Sequence, residues 1–150
     1  MKTGTVVRNT KHEHVAQILE EFFKHLEYVG LAYLFGSTAR ANDGKLSDID
    51  IAVYLNNGLS KQEQNQKRLE LISGLSTLLK SDRIDLVIMN HAPPVLNFEV
   101  IKVNMPVYVR DRDVKLDVEQ KIMSRYLDRK HHEDFLNRSF LTRVTKKGLS

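Results

Sequence analysis

Six residues carry groups suited to phosphate chemistry. Asp48 and Asp50 open the apolar run Asp48–Leu55, and Asp85 interrupts the run Arg83–Met89. Gly36, Ser37 and Arg40 follow the apolar run Leu31–Phe35. Side chains alternate along a strand, so Asp48 and Asp50 point the same way, with Ile49 on the other side. Two carboxylates on one patch repel each other and lose hydration, and a hard divalent cation such as Mg²⁺ removes both penalties. In the third run Ile84, Leu86 and Ile88 share one face, which puts Asp85 with Val87 on the other. A carboxylate inside an apolar run needs a partner or a polar site. If the two strands are neighbours, three carboxylates gather: two to hold metal, and a third to accept a proton from an attacking hydroxyl or to share a metal. Asp85 as an edge residue paired to Arg83 or Lys80 is the other reading. Gly36 permits close backbone approach, and Ser37 adds a hydroxyl to the N–H groups of a turn, which together favour phosphate. An isolated Gly-Ser is equally an ordinary turn. Arg40 is placed to reach a phosphate or to lie on the surface. Taken together, the set suits a nucleoside triphosphate bound through Mg²⁺, with a hydroxyl attacking the α-phosphorus and two metals assisting.

The elements that must position these groups follow from spacing. Thr10 to Glu13 reads as a capping box, and Val15, Ile18, Leu19, Phe22, Phe23 and Leu26 recur at helical intervals after it. Gly30 reads as the end of the connection to the first strand. Asn56-Asn57-Gly58 is a turn, and Ser60 to Glu63 a second capping box, with Leu69, Ile72, Leu75 and Leu79 continuing that helix. Pro93-Pro94 suits a helix first turn ending near Asn104. Met105–Arg110 is a short fourth strand. From Asp113 the chain is helical, with Val114, Val118, Ile122 and Tyr126 spaced for packing; after Lys130 the periodicity weakens. The order is that of an α+β protein, a small sheet packed by helices.

The chain has 150 residues, enough for one domain with a real core, and a net charge of +4. Residues 1–109 balance 12 basic against 12 acidic residues, while residues 110–150 hold 11 against 7. The basic C-terminal segment suits an acidic partner or simply a solvated face. Interleaved Glu133 and Asp134 make nucleic acid a poor fit, and contact with a partner protein is the expectation. No cysteine is present, no apolar run reaches a membrane span, and the N-terminus lacks a signal-peptide pattern. A cytoplasmic location is expected.

Gly36-Ser37, ten residues, then Asp48-Ile49-Asp50 resembles the signature of the polymerase-β-like nucleotidyltransferase superfamily. The stretch LFGSTARANDGKLSDIDIAVYL is similar to its minimal nucleotidyltransferase (MNT) branch, the antitoxins of HEPN–MNT toxin–antitoxin pairs. RIDLVIMNHAPPVLNFEVIKVNMPVYVRD resembles the continuation of that branch, although Ala41 stands where the branch often has glycine. The resemblance covers roughly residues 12–112 and implies a mixed sheet, so the nucleotidyltransferase core is expected at 1–112, with the helical pattern of 113–150 read as a C-terminal extension of the same compact domain. It implies that Gly36 and Ser37 hold the triphosphate, that Asp48 and Asp50 hold metal, and that Asp85 completes the triad. It further implies Mg²⁺ and ATP, and transfer of AMP to a tyrosine of a HEPN ribonuclease toxin that pairs with the chain as a hetero-oligomer. Two other readings remain open: transfer to a small hydroxylated molecule such as an aminoglycoside, and neutralisation of a toxin by binding alone.

Overall fold

A computed structural model describes residues 10–36, 49–56 and 58–147, with side chains from Glu13 to Ser139. Four strands form one mixed sheet: β1 (Val29–Phe35), β2 (Ile49–Leu55), β3 (Ile84–Ile88) and β4 (Pro106–Val109). The spatial order is β3-β2-β1-β4. β1 pairs antiparallel with β2 and β4, and β2 pairs parallel with β3. The parallel pair needs a crossover, and α2 (Lys61–Leu79) supplies it. The other described helices are α1 (Thr10–Lys24), α3 (Pro94–Val103) and α4 (Arg112–Lys147). A short 3₁₀ turn, Met89–His91, lies between β3 and α3.

The sheet divides the core into two layers, as the alternation of side chains requires. Leu34, Ile51, Val53, Leu55, Leu86 and Ile88 pack with Leu19 and Phe23 of α1 and Leu71 and Leu75 of α2. On the other face Leu31, Tyr33 and Ala52 pack with Met89, Val100 of α3, and Val118 and Ile122 of α4. β1 and β2 are buried on both faces, which is why they read as nearly continuous apolar runs.

The caps show where local sequence decides the ends. Ser60 Oγ accepts from the Glu63 N–H, and Glu63 Oε1 accepts from the Ser60 N–H, the reciprocal box expected at the start of α2. Asn104, in the left-handed region at φ 58°, ends α3. Asn90 binds the far end of β2 with both ends of its amide: Oδ1 accepts from the Leu55 N–H, and Nδ2 donates to the Leu55 carbonyl.

Several expectations need correction. Gly30 does not end a connection but lies inside β1, where an added Cβ would come within 2.8 Å of Asn56 Oδ1. The described part of α1 starts at Thr10, and the capping box expected from Thr10 to Glu13 lies outside the described side chains. Leu69 is 64% exposed and Val114 is 37% exposed; α2 buries Leu75 as expected, and Leu71 in place of Leu69. The loss of periodicity after Lys130 does not end the helix, which continues to Lys147. Among the described residues no helix is long and apolar enough to cross a membrane.

One polar contact ties α4 to the sheet. The buried Tyr33 hydroxyl donates to Glu119 Oε2 at 2.6 Å, and Lys115 Nζ sits 3.0 Å from the same oxygen. Burial, and then the bond to Glu119, pushes the Tyr33 pKa up, so the phenol keeps its proton and donates. Tyr33→Phe is expected to lower unfolding free energy by about 1 kcal/mol. Glu119→Gln, which keeps an acceptor, should cost less. Urea denaturation checks both, and equal losses would contradict the donor-acceptor assignment.

Candidate active site

β2 enters the sheet at Ile49, whose N–H donates to the Arg83 carbonyl at 2.8 Å. That bond starts the parallel ladder, and the register then sets Ile49 opposite Ile84 and Asp50 opposite Asp85. Paired residues on neighbouring strands point to the same side and lie about 4.8 Å apart at the backbone. The isoleucines therefore turn into the layer under α1 and α2, and both aspartates turn to the face that carries Ala52 and Val87. Two carboxylates at about 4 Å repel by about 1 kcal/mol in water and about 4 kcal/mol near a protein surface. A pair enforced by the backbone is thus built to receive positive charge.

The third strand reaches the same place. Phe35 is the register partner of Asp50, which brings Gly36 directly against the Asp50 side chain. Gly36 has φ +72°, and a Cβ there would overlap the Asp50 carboxylate, with Asp50 Cγ only 2.9 Å away. Glycine is required twice over: by the left-handed backbone, and by the space that Asp50 fills. The end of β1 and the starts of β2 and β3 form one corner of the sheet, with Gly36, Asp50 and Asp85 on it.

Asp85 differs from expectation in its surroundings. It is exposed on an edge strand, so no burial penalty demands a partner. The edge position was one of the two readings open at the outset, and it coexists with the pairing to Asp50. Ser37, Arg40 and Asp48 lie outside the described residues. Among the described residues no group of three His, Asp or Glu side chains forms a metal cluster. Two carboxylates and a glycine-walled space do fit a hard cation that takes oxygen ligands and shares them with phosphate.

Sequence reasoning missed the contacts that hold this corner from behind. Arg68 of α2 donates from Nε to the Leu86 carbonyl of β3 at 3.2 Å, tying the crossover helix to the edge strand. Tyr33 and Glu119 are 86 positions apart, and no spacing rule links them.

Comparison with known proteins identifies the family and the fold. The family model for polymerase beta nucleotidyltransferases matches residues 17–113. No curated protein matches the chain. Among solved structures, a toxin–antitoxin complex with AMP-PNP matches at 26% identity and TM-score 0.63, over 84% of this chain and 98% of that one. A mutant MntA–HepT toxin–antitoxin complex matches at 27% identity and TM-score 0.61, over 90% and 99%. A complex of tri-AMPylated Shewanella oneidensis HEPN toxin with MNT antitoxin matches at 25% identity and TM-score 0.56, over 88% and 97%.

Gly36→Ala is expected to displace Asp50 and strain the turn by about 1–2 kcal/mol. Activity should fall further than that strain implies, by about 100-fold, because misplaced ligands spoil alignment. Thermal unfolding and transfer kinetics measured together separate the two effects; a parallel loss of both would show that Gly36 serves only the fold.

Proposed function

The chain belongs to the polymerase beta nucleotidyltransferase family, and from that footing we propose that it is an antitoxin acting as an Mg²⁺-dependent adenylyltransferase. It moves AMP from ATP to a tyrosine hydroxyl of a cognate HEPN ribonuclease toxin and thereby silences it. The observation that carries this reading is Asp50 beside Asp85 in the β2–β3 register, with Gly36 closed against Asp50. The nucleotide and the acceptor are suggested by the solved neighbours, one with AMP-PNP and one with a tri-AMPylated HEPN toxin.

In this mechanism Gly36 and Ser37 cradle the triphosphate with backbone N–H groups and the serine hydroxyl, and Arg40 assists at a phosphate oxygen. Asp48 and Asp50 would hold Mg²⁺ through their carboxylate oxygens, and the ion would supply positive charge to neutralise the triphosphate. Asp85, exposed on the edge strand, is the third carboxylate, to take the proton from an incoming hydroxyl or to share a metal. The acceptor oxygen forms a bond to the α-phosphorus, the bond from that phosphorus to the β-phosphate oxygen breaks, and pyrophosphate leaves. The proton passes to the carboxylate and then to solvent.

Transfer to an aminoglycoside-like molecule fits less well. The solved neighbours are toxin–antitoxin complexes, which favour a protein acceptor. Neutralisation by binding alone is separated by experiment. The chain, or its Asp48→Asn/Asp50→Asn variant, is co-expressed with the product of the neighbouring gene, and that protein's mass is measured. Adenylyl units on a tyrosine are expected with the wild type, and a loss on the order of 100-fold or more with the variant. Protection that persists in the variant at equal protein level would make catalysis dispensable.

A further inference from the structure

α2 turns one stripe to the sheet. Leu71, Ile72, Leu75 and Leu79 recur at helical spacing and pack in the layer that holds Leu86 and Ile88 of β3. Arg68 stands one turn before Leu71 and Ile72, so it belongs to the same stripe, and it is partly buried there. A cation in an apolar stripe costs free energy unless its donors are used, and an apolar residue would fill the place without that cost. The use made of it is one bond: Arg68 Nε donates to the Leu86 carbonyl at 3.2 Å.

That carbonyl faces away from the rest of the sheet. Backbone groups along a strand point alternately to its two sides. The Arg83 carbonyl accepts from Ile49 of β2, so the carbonyls of Asp85 and Val87 face β2 as well. Those of Ile84 and Leu86 face the other way, where no strand lies among the described residues. β3 has five residues and is laddered on one side. It is therefore the strand most easily displaced when the carboxylates of Asp50 and Asp85 repel each other. Leu86 follows Asp85 directly, and a bond made there from outside the sheet opposes that displacement. A charge that only discouraged other strands from pairing with the edge would need no such bond.

We propose that Arg68 is a positioning residue for Asp85. Its bond to Leu86 holds β3 against β2, keeps Asp85 level with Asp50, and so sets the spacing at which the two carboxylates share a cation. This rests on the reading of that pair as a cation site. Arg68 acts through the backbone from the opposite side of the sheet: α2 packs on the face of Leu86, and Asp85 lies on the face of Val87. No contact with nucleotide or acceptor is asked of it. The planar guanidinium fixes the direction of the bond, and a lysine ammonium on its flexible stem is a partial substitute.

The test compares the full-length chain with Arg68→Met, which keeps an unbranched stem without a donor, and with Arg68→Lys, which restores a donor. Mn²⁺ binding in the presence of AMP-PNP is measured by calorimetry, stability by urea unfolding, and amide exchange along β2 and β3 by NMR. Arg68→Met is expected to weaken Mn²⁺ binding about tenfold, as loss of a group that orients a ligand does. Its urea midpoint should stay near that of the wild type, because methionine suits the apolar stripe. Arg68→Lys should recover part of the loss. In an Asp85→Asn background Arg68→Met should cost less than about twofold more, since it acts through Asp85. Undiminished Mn²⁺ binding by Arg68→Met, or a loss that persists in full beside Asp85→Asn, overturns the proposal. Unfolding of Arg68→Met would show a structural role alone and overturn it too. A wild type that binds no Mn²⁺ defeats the cation reading, and the exchange comparison then decides the positioning: faster exchange between β2 and β3 in Arg68→Met supports it, and equal rates overturn it.

Discussion

The parallel pairing of β2 with β3 forces Asp50 beside Asp85, and much of the domain acts to keep that pairing in place. A backbone ladder has no means of relaxing two like charges apart, because the register that separates them would also turn Ile51, Val53, Leu86 and Ile88 out of the core. Hydrophobic burial on one face thus fixes electrostatic crowding on the other. α2 is long enough to make the parallel crossover, and Arg68 fastens it to β3. β1 brings the third component, since its pairing of Phe35 with Asp50 leaves a space at Gly36 that no larger residue can fill.

The elements of this corner were readable because their signals are local. Ile-rich runs, the Ser60–Glu63 box and the Pro93-Pro94 start each depend on a few neighbouring residues. The alternation that set Asp85 with Val87 is a property of any strand. The adjacency of β2 and β3 was only a condition, because strand order is decided by how helices cover the faces. Asp85 was expected to need a partner because its neighbours in sequence are apolar. Its edge position removes that need, and an edge is not visible in a single strand's pattern. Leu69 and Val114 were misplaced for a related reason: helical spacing gives a stripe, but its limits depend on what packs against it. The bond from Tyr33 to Glu119 joins distant positions and has no sequence signature.

The two ends of the chain's architecture serve different demands. The corner formed by β1, β2 and β3 is compact, held by register, and suited to a small charged ligand. α4 is anchored by Val118, Ile122 and the bond from Tyr33 to Glu119, then leaves the domain with apolar side chains still exposed. Tyr33 belongs to both regions: it is in β1, two positions before Phe35, and its hydroxyl holds α4 through Glu119.

The claim on which everything rests is that the crowded carboxylates exist to share a cation with a nucleotide. Titration of Mn²⁺ into the full-length chain, with and without AMP-PNP, tests it most directly. Tight cation binding is expected only with the nucleotide analogue present, and Asp50→Asn or Asp85→Asn should each weaken it by about tenfold or more. Undiminished Mn²⁺ and AMP-PNP binding in both variants would contradict the account and leave the pairing of Asp50 with Asp85 as an accident of register.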